Sequence, residues 1–385
     1  MGSLKINSLI TNTFIVLLSI LISIWSFEIY LILKDPKPLE DWDSRTAVEV
    51  AEDISNLQEK IKFLIPPFYF IDSYKNSIKR DLDGIFPVGG MENFSTIMCN
   101  ETGKFNKFFS DNYGLNNSNS AYSKNSKTIL LGDSFAFGAC VNENETLAYY
   151  LKDLNILNLS YSGNGPLLEL KTLVDVQESI SGSLDNFIYL YFEGNDFENL
   201  KDELKSKHLR SYLNCESVID CRVSSKAIPN INYLKRSVYE SIRNEFYVNE
   251  KSSILNNLSL QKIKSFLLAR NLRERLNLRF NPHHLKSFEW NWAEYEIIIS
   301  LLSNYADESE ANKIFVYIPD KLRLSSKFNY HKQDVINLAN NYDFKVVDLE
   351  PHIYKDKYIF NEFGFGHLSP EGYAFLSSLI KKEGF

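Results

Sequence analysis

Positive charge is what this 385-residue chain lacks: 42 Lys and Arg stand against 49 Asp and Glu, a formal net charge of −7 at pH 7. That balance gives no footing for a partner held through its phosphates, so nucleic acid is excluded as a binding class. Glycine and proline are also few, 16 and 11 residues, too few for a collagenous or linker-dominated chain. Cysteine is scarcer still, with four in all. None forms a CxxC pair, and no His/Cys cluster has the spacing of a zinc site. No internal repeat marks a solenoid or propeller.

Apolar material, by contrast, is plentiful. A 44% hydrophobic share with 14% aromatics supplies a packed core and excludes global disorder. The length exceeds a typical single core, which means one large domain with additions or two smaller domains.

Ile6 to Phe27 form a run of 22 residues without a charge. As a helix this run is about 33 Å long, enough to cross a hydrocarbon core of roughly 30 Å. Trp25 and Tyr30 sit where an aromatic belt would lie, and Glu28 is the first charge to interrupt the run. A cleaved signal peptide would need a small-residue cleavage pattern, which WSFEIYLIL does not supply. Residues 1–33 therefore read as an uncleaved anchor. Lys5 precedes the run, and Lys34, Lys37 and Arg45 follow it, so the charge bias slightly favours a cytoplasmic bulk. Cys215 and Cys221, in CESVIDC, are close enough to staple a short loop outside the cytoplasm, with two unpaired thiols as the alternative. Cys140 reads as a small buried residue.

After the anchor, residues 34–126 read as a linker and loop-rich lead-in. KDPKPLEDWD is polar; Ala47 to Leu64 has helical apolar spacing and is stopped by Pro66 and Pro67. From about 70 to 125, Asn, Ser, Asp and Gly predict loops and turns. From Lys127 the texture changes. TILLGDS, LNILNLSYSGNG, NFIYLYFEGND, KIFVYIPD and FKVVDLEP are short apolar runs ending in turn residues, with helical patterns between them. They predict an α/β domain over 127–385 built on a parallel sheet covered on both faces. A mainly helical insertion occupies about 197–290, and SILNNLSLQKIKSFLLARNLRERLNL and SFEWNWAEYEIIISLLSNYADE are the clearest helices of this middle stretch.

In such sheets the loops at the carboxyl ends of the strands build the site. Gly132-Asp133-Ser134 closes the first run, which exposes a serine hydroxyl at a strand-to-helix turn, at the positive end of the next helix. Asp133 reads as ordering that turn. Ser162-Gly163-Asn164-Gly165-Pro166 closes the second, where glycines let backbone N–H groups approach an oxyanion. Gly194-Asn195-Asp196 closes the third, and Asn195 can offer a side-chain N–H. His367, in FGHLSPEGYAFLSSLI, lies just ahead of a C-terminal helix and can act as a base.

This order of blocks resembles the SGNH/GDSL hydrolase family, over roughly Lys127 to Phe385 with the middle stretch unmatched. GDSFAFGACVNENET is especially similar to the first block of bacterial members, and SDNYGLNN to their lead-in. The resemblance implies a flavodoxin-like three-layer sandwich and an ester-cleaving or acyl-transferring site. Ser134 would be the nucleophile and His367 the base. The Ser134 and Gly163 N–H groups and the Asn195 side chain would form the oxyanion hole, with no metal or organic cofactor. The chain departs from the family where an Asp usually stands three residues before the histidine: here that residue is Gly364. Glu362, a backbone carbonyl in a Ser–His dyad, or a degenerate binding site are the three readings this leaves.

Two functions follow. One is a membrane-anchored esterase or O-acyltransferase, acting on an acylated saccharide or other small ester of the cell surface, its bulk on the periplasmic or extracytoplasmic side. The other is a degenerate scaffold subunit of an envelope polysaccharide machine. His208, His283, His284, His331 and His352 match no motif and read as packing or surface residues. Arg270, Arg273, Arg275, Arg279 and Lys286 read as a solvated face, and Asp348 as a turn or capping residue.

Overall fold

The computed structural model describes residues 2–34, 42–55, 60–67, 69–70, 86–122, 126–180, 182–221, 231–253, 266–269, 272–273, 290–320, 331–353, 359–361 and 366–385. The chain divides into two compact units, one of residues 1–40 with 244–289 and one of residues 41–243 with 290–385.

The smaller unit carries helix α1 (Gly2–Lys34), with a stretch from Thr11 to Leu31 long and apolar enough to cross a membrane. Phe14, Val16, Leu17, Ile20 and Ile22 are all exposed, so its apolar surface runs around the helix rather than along one stripe. A helix of that kind needs an apolar surrounding. Glu28 does not end it. That side chain is buried, and its Oε2 accepts the Leu272 N–H at 2.8 Å. Most of the basic stretch after this point, and His283 and His284, lie outside the described residues.

The lead-in of the larger unit holds more regular structure than its composition predicts. Helix α2 (Ala47–Ser55) opens on a capping box: the Thr46 N–H donates to Glu49 Oε2 at 2.6 Å, and the Glu49 N–H to Thr46 Oγ1 at 3.2 Å. It ends well before Leu64, because Ile61–Phe63 is a strand, β1. β1 pairs in parallel with β2 (Ser95–Ile97), which pairs antiparallel with β3 (Lys107–Phe109). Strands this short carry too little alternation to be legible in a sequence.

The main sheet is built from the five apolar runs: β4 (Thr128–Leu131), β5 (Ile156–Asn158), β6 (Asn186–Phe192), β7 (Asn312–Ile318) and β8 (Lys345–Asp348). Every pairing is parallel and the order is β5-β4-β6-β7-β8, the doubly wound order 2-1-3-4-5. Alternation gives the two faces different chemistry. Leu130, Ile188, Leu190, Val316 and Ile318 make an aliphatic face packed by Leu147, Leu151, Tyr373 and Leu376. Phe187, Tyr189, Tyr191, Phe315 and Tyr317 belong to the other face, where Tyr191 lies 5.8 Å from Tyr295 and Phe187 6.2 Å from Tyr305 between ring centroids. Between the strands run α3 (Ser134–Phe137), α4 (Pro166–Val176), α5 (Asp196–Glu203) and α6 (Trp292–Glu308), with α7 (Pro370–Leu379) closing the chain. Helices thus flank the parallel sheet, and α6 is the second of the two helices read in the middle stretch. Most of the first falls outside the described residues.

Candidate active site

Gly132 ends β4 with φ +152°. A Cβ there would meet the Ala136 Cβ and the Leu190 carbonyl oxygen at 2.9 Å each, so this tight turn has room only for glycine. Asp133 then caps α3 by accepting the Phe135 N–H at Oδ1, 2.9 Å, while Ser134 Oγ lies 3.3 Å from Oδ2. Burial pushes the Asp133 carboxyl above the usual range, opposed by the Phe135 N–H and by His367. The turn-ordering role expected for Asp133 is therefore what the geometry shows. The helix itself is a correction: it spans four residues, Ser134 to Phe137, too short to build the dipole expected at its start.

Ser134 and His367, 233 residues apart, meet. His367 Nε2 lies 3.0 Å from Ser134 Oγ. The imidazole packs against the Phe135 ring, 5.2 Å between centroids. Its Nδ1 lies 2.9 Å from Glu101 Oε1, and its backbone N–H donates to Glu101 Oε2 at 2.9 Å. Since a carboxylate can only accept, Nδ1 carries the proton and the Nε2 lone pair faces the serine hydroxyl.

Glu101 is the residue that sequence reasoning missed. It lies in the lead-in, 266 residues before the histidine. Its side chain is 2% exposed, and Oε2 also accepts the Asn361 amide at 3.2 Å. The histidine loop is fixed in turn: the Asn361 N–H donates to the His367 carbonyl at 2.8 Å, and the Ser369 N–H to the Ile359 carbonyl at 2.9 Å. The signal within reach was Cys99, two residues upstream of Glu101, which is bonded to Cys140. Cys140 is buried as expected but is not a lone thiol, and Cys215 pairs with Cys221. Glu362 and Gly364 lie outside the described residues.

The other two expected site residues are placed by topology. β4 sits between β5 and β6, so the ends of these three strands set Ser134, Gly163 and Asn195 along one edge. Gly163 has φ +89°, and a Cβ on it would stand 3.1 Å from the Pro67 ring. The Tyr161 hydroxyl donates to the Ile65 carbonyl at 3.1 Å, so the lead-in packs on this loop as well. Neither the Gly163 N–H nor the Asn195 side chain makes a hydrogen bond to any described residue. Both residues are partly exposed.

Beneath the edge lie three more fully buried carboxyl groups. Burial, then the Asp133 and Glu203 charges, raises Glu169 well above the usual range, and burial with the Asp133 and Glu169 charges does the same to Asp196. Glu203 accepts the N–H groups of Gly165 and Leu167 at 2.6 and 3.0 Å, yet burial still pushes it up to about 7. The oxygens and nitrogen of Glu101 and His367 and the Cys140 sulfur fall within 4.8 Å of one another. They do not suit a metal: the sulfur is committed to a disulfide, and the carboxylate and imidazole bind each other. The remaining histidines are packing residues where described: His331 reaches the Tyr191 hydroxyl at 2.5 Å, His208 stacks on Phe86 and His352 lies against Phe375. Asp348 accepts the Glu350 N–H at 2.9 Å, the turn role expected of it.

No protein-family model matches the chain, and no curated protein matches it.

Proposed function

We propose that this chain is a membrane-anchored serine esterase or O-acyltransferase of the SGNH/GDSL kind, acting on an acylated saccharide or related ester at the cell surface. The observation that carries this reading is the continuous hydrogen-bonded line from Glu101 through His367 to Ser134. A serine whose hydroxyl faces a tautomer-fixed imidazole is the arrangement acyl transfer needs. The doubly wound sheet order and the block order of the motifs support the family assignment. The scaffold alternative rested on Gly364; with Glu101 on Nδ1, an orienting carboxylate is present and the motive for that alternative falls away.

In the reaction, Ser134 Oγ bonds to the ester carbonyl carbon while its proton passes to His367 Nε2. The carbonyl electron pair moves onto oxygen, where the N–H groups of Ser134 and Gly163 and the Asn195 amide receive it. Collapse expels the alcohol, which takes the proton back from His367, and leaves the acyl group on Ser134. Water or a sugar hydroxyl then repeats the sequence and frees the serine. The Glu101 carboxylate stabilises the imidazolium formed in both halves.

Helix α1 would anchor the protein once, and the bulk would lie outside the cytoplasm. Two disulfides support that side, because such bonds persist in oxidising compartments. They outweigh a slight charge bias that rests on Lys34, Lys37 and Arg45. The test is acyl release by the full-length protein in detergent, from p-nitrophenyl acetate and from acetylated saccharides. Release by wild type and none by Ser134→Ala is the expected result; equal rates would end the proposal.

A further inference from the structure

Glu101 belongs to a loop that leaves β2 and returns to β3, and nothing in its own stretch obliges it to lie beneath His367. The loop closes on itself and on the lead-in: the Asn106 N–H donates to the Cys99 carbonyl at 3.2 Å, the Gly103 N–H to Asn100 Oδ1 at 2.8 Å, and the Asp43 N–H to the Gly103 carbonyl at 2.8 Å. Glu101 itself binds His367 and Asn361, and the strands and loop around it have further ties to the sheet domain. Asn106 Nδ2 donates to Asn142 Oδ1 at 3.1 Å, and the Phe109 N–H donates to Glu143 Oε1 at 2.7 Å. The covalent tie is Cys99–Cys140, with Cα atoms 5.1 Å apart. One cysteine stands just before the triad acid, and the other follows the nucleophile helix. Cys140 has φ +62°, a conformation rare for a residue with a side chain, and its Sγ is 3.6 Å from His367 Nδ1. The bridge thus reaches both the acid's loop and the base.

We propose that the Cys99–Cys140 disulfide is the positioning element of the triad: it holds Glu101 against His367, so the Ser134 centre is competent only while the bridge is oxidised. This rests on the catalytic reading given above. Cys99 is partly exposed and Cys140 is buried, so Cys99 is the side from which a reductant would attack. Reduction by dithiothreitol breaks the S–S bond and delivers two electrons and two protons. Two thiols result, and the reagent leaves as its cyclic disulfide. Two changes then act together. The Glu101 loop loses its covalent tie, and a freed Cys140 thiol beside Nδ1 competes with Glu101 for the imidazole. A centre built in this way stays inactive until the chain has reached an oxidising compartment.

The experiment uses full-length protein in detergent with two readouts: turnover of p-nitrophenyl acetate, and the low-field proton NMR resonance of His367 Nδ1–H bonded to a carboxylate. The oxidised wild type should show the resonance and Glu101→Gln should not. Reduction should remove the resonance and lower kcat by about 10²- to 10⁴-fold, the upper bound being the loss of an orienting carboxylate. Cys99→Ser/Cys140→Ser should match the reduced wild type and no longer respond to reductant, while Cys215→Ser/Cys221→Ser should keep activity and respond in full. Should the paired Cys99 and Cys140 variant fail to fold, reduction of the folded wild type carries the same comparison. A reduced protein that keeps both resonance and turnover overturns the proposal. An oxidised protein without turnover, whose resonance still disappears on reduction, would overturn the esterase reading and leave the positioning role standing.

Discussion

Both carboxylate oxygens of Glu101 bind His367, one at the imidazole Nδ1 and one at the backbone N–H, each at 2.9 Å. The double contact fixes ring and main chain together. A carboxylate from the lead-in thereby orients the imidazole, whereas the SGNH/GDSL resemblance would have placed the orienting acid at Gly364.

Glu101→Gln should keep the fold and lose the chemistry. The amide is isosteric but bears no charge to stabilise the imidazolium, and it can present an N–H to Nδ1 and so favour the wrong tautomer. A fall in kcat of up to about 10⁴-fold with little change in KM is expected from steady-state kinetics, as for a triad protease whose aspartate was neutralised. A fall below about tenfold would remove Glu101 from the mechanism.

Asn195→Ala should act on the transition state alone. The amide makes no hydrogen bond to described residues, so its removal breaks none of their hydrogen bonds. Loss of one oxyanion donor costs about 10²- to 10³-fold in kcat. An unchanged kcat would exclude this side chain from the oxyanion hole.

Gly132→Ala should destabilise the protein directly. The added methyl meets the Leu190 carbonyl oxygen at 2.9 Å from a backbone held at φ +152°. A cost of about 1–3 kcal/mol is expected from the shift in urea midpoint. A shift equivalent to less than about 0.5 kcal/mol would show that the turn relaxes freely.

Glu203 should make stability depend on pH. Its folded pKa of about 7 lies above the ordinary 4.5, so the native state holds the proton more tightly than the unfolded chain. The stability it contributes is complete below pH 4.5 and is lost as pH rises through about 7, a swing of about 3 kcal/mol. Glu203→Gln should remove that swing from urea midpoints measured at about pH 5 and about pH 8. Parallel pH curves for the two proteins would contradict the assignment.

What the sequence disclosed is what short local patterns encode. All five parallel strands lie in short, largely apolar runs that end in turn residues. Ser134, Gly163 and Asn195 stand at the ends of three of them, and His367 precedes a helix with a legible start, Ser369-Pro370. Glu101 was hidden because it lies in no periodic element and its partner is 266 residues away. β2 and β3 were hidden for a related reason: three residues give one alternation, and the chain between them, MCNETGKFN, looks like any loop. The cysteines carried the missing long-range information, since pairing Cys99 with Cys140 brings the lead-in to the nucleophile. Pairing cannot be deduced from one sequence.

The central claim is that Ser134 is a nucleophile activated by a histidine that Glu101 orients. Its most direct test is the rate at which a fluorophosphonate modifies the oxidised full-length protein, with the adduct located by peptide mass spectrometry. A single adduct on Ser134, formed about 10³-fold or more slowly in Glu101→Gln, is the predicted result. No adduct on Ser134 in the wild type, or equal rates in the two proteins, would contradict it.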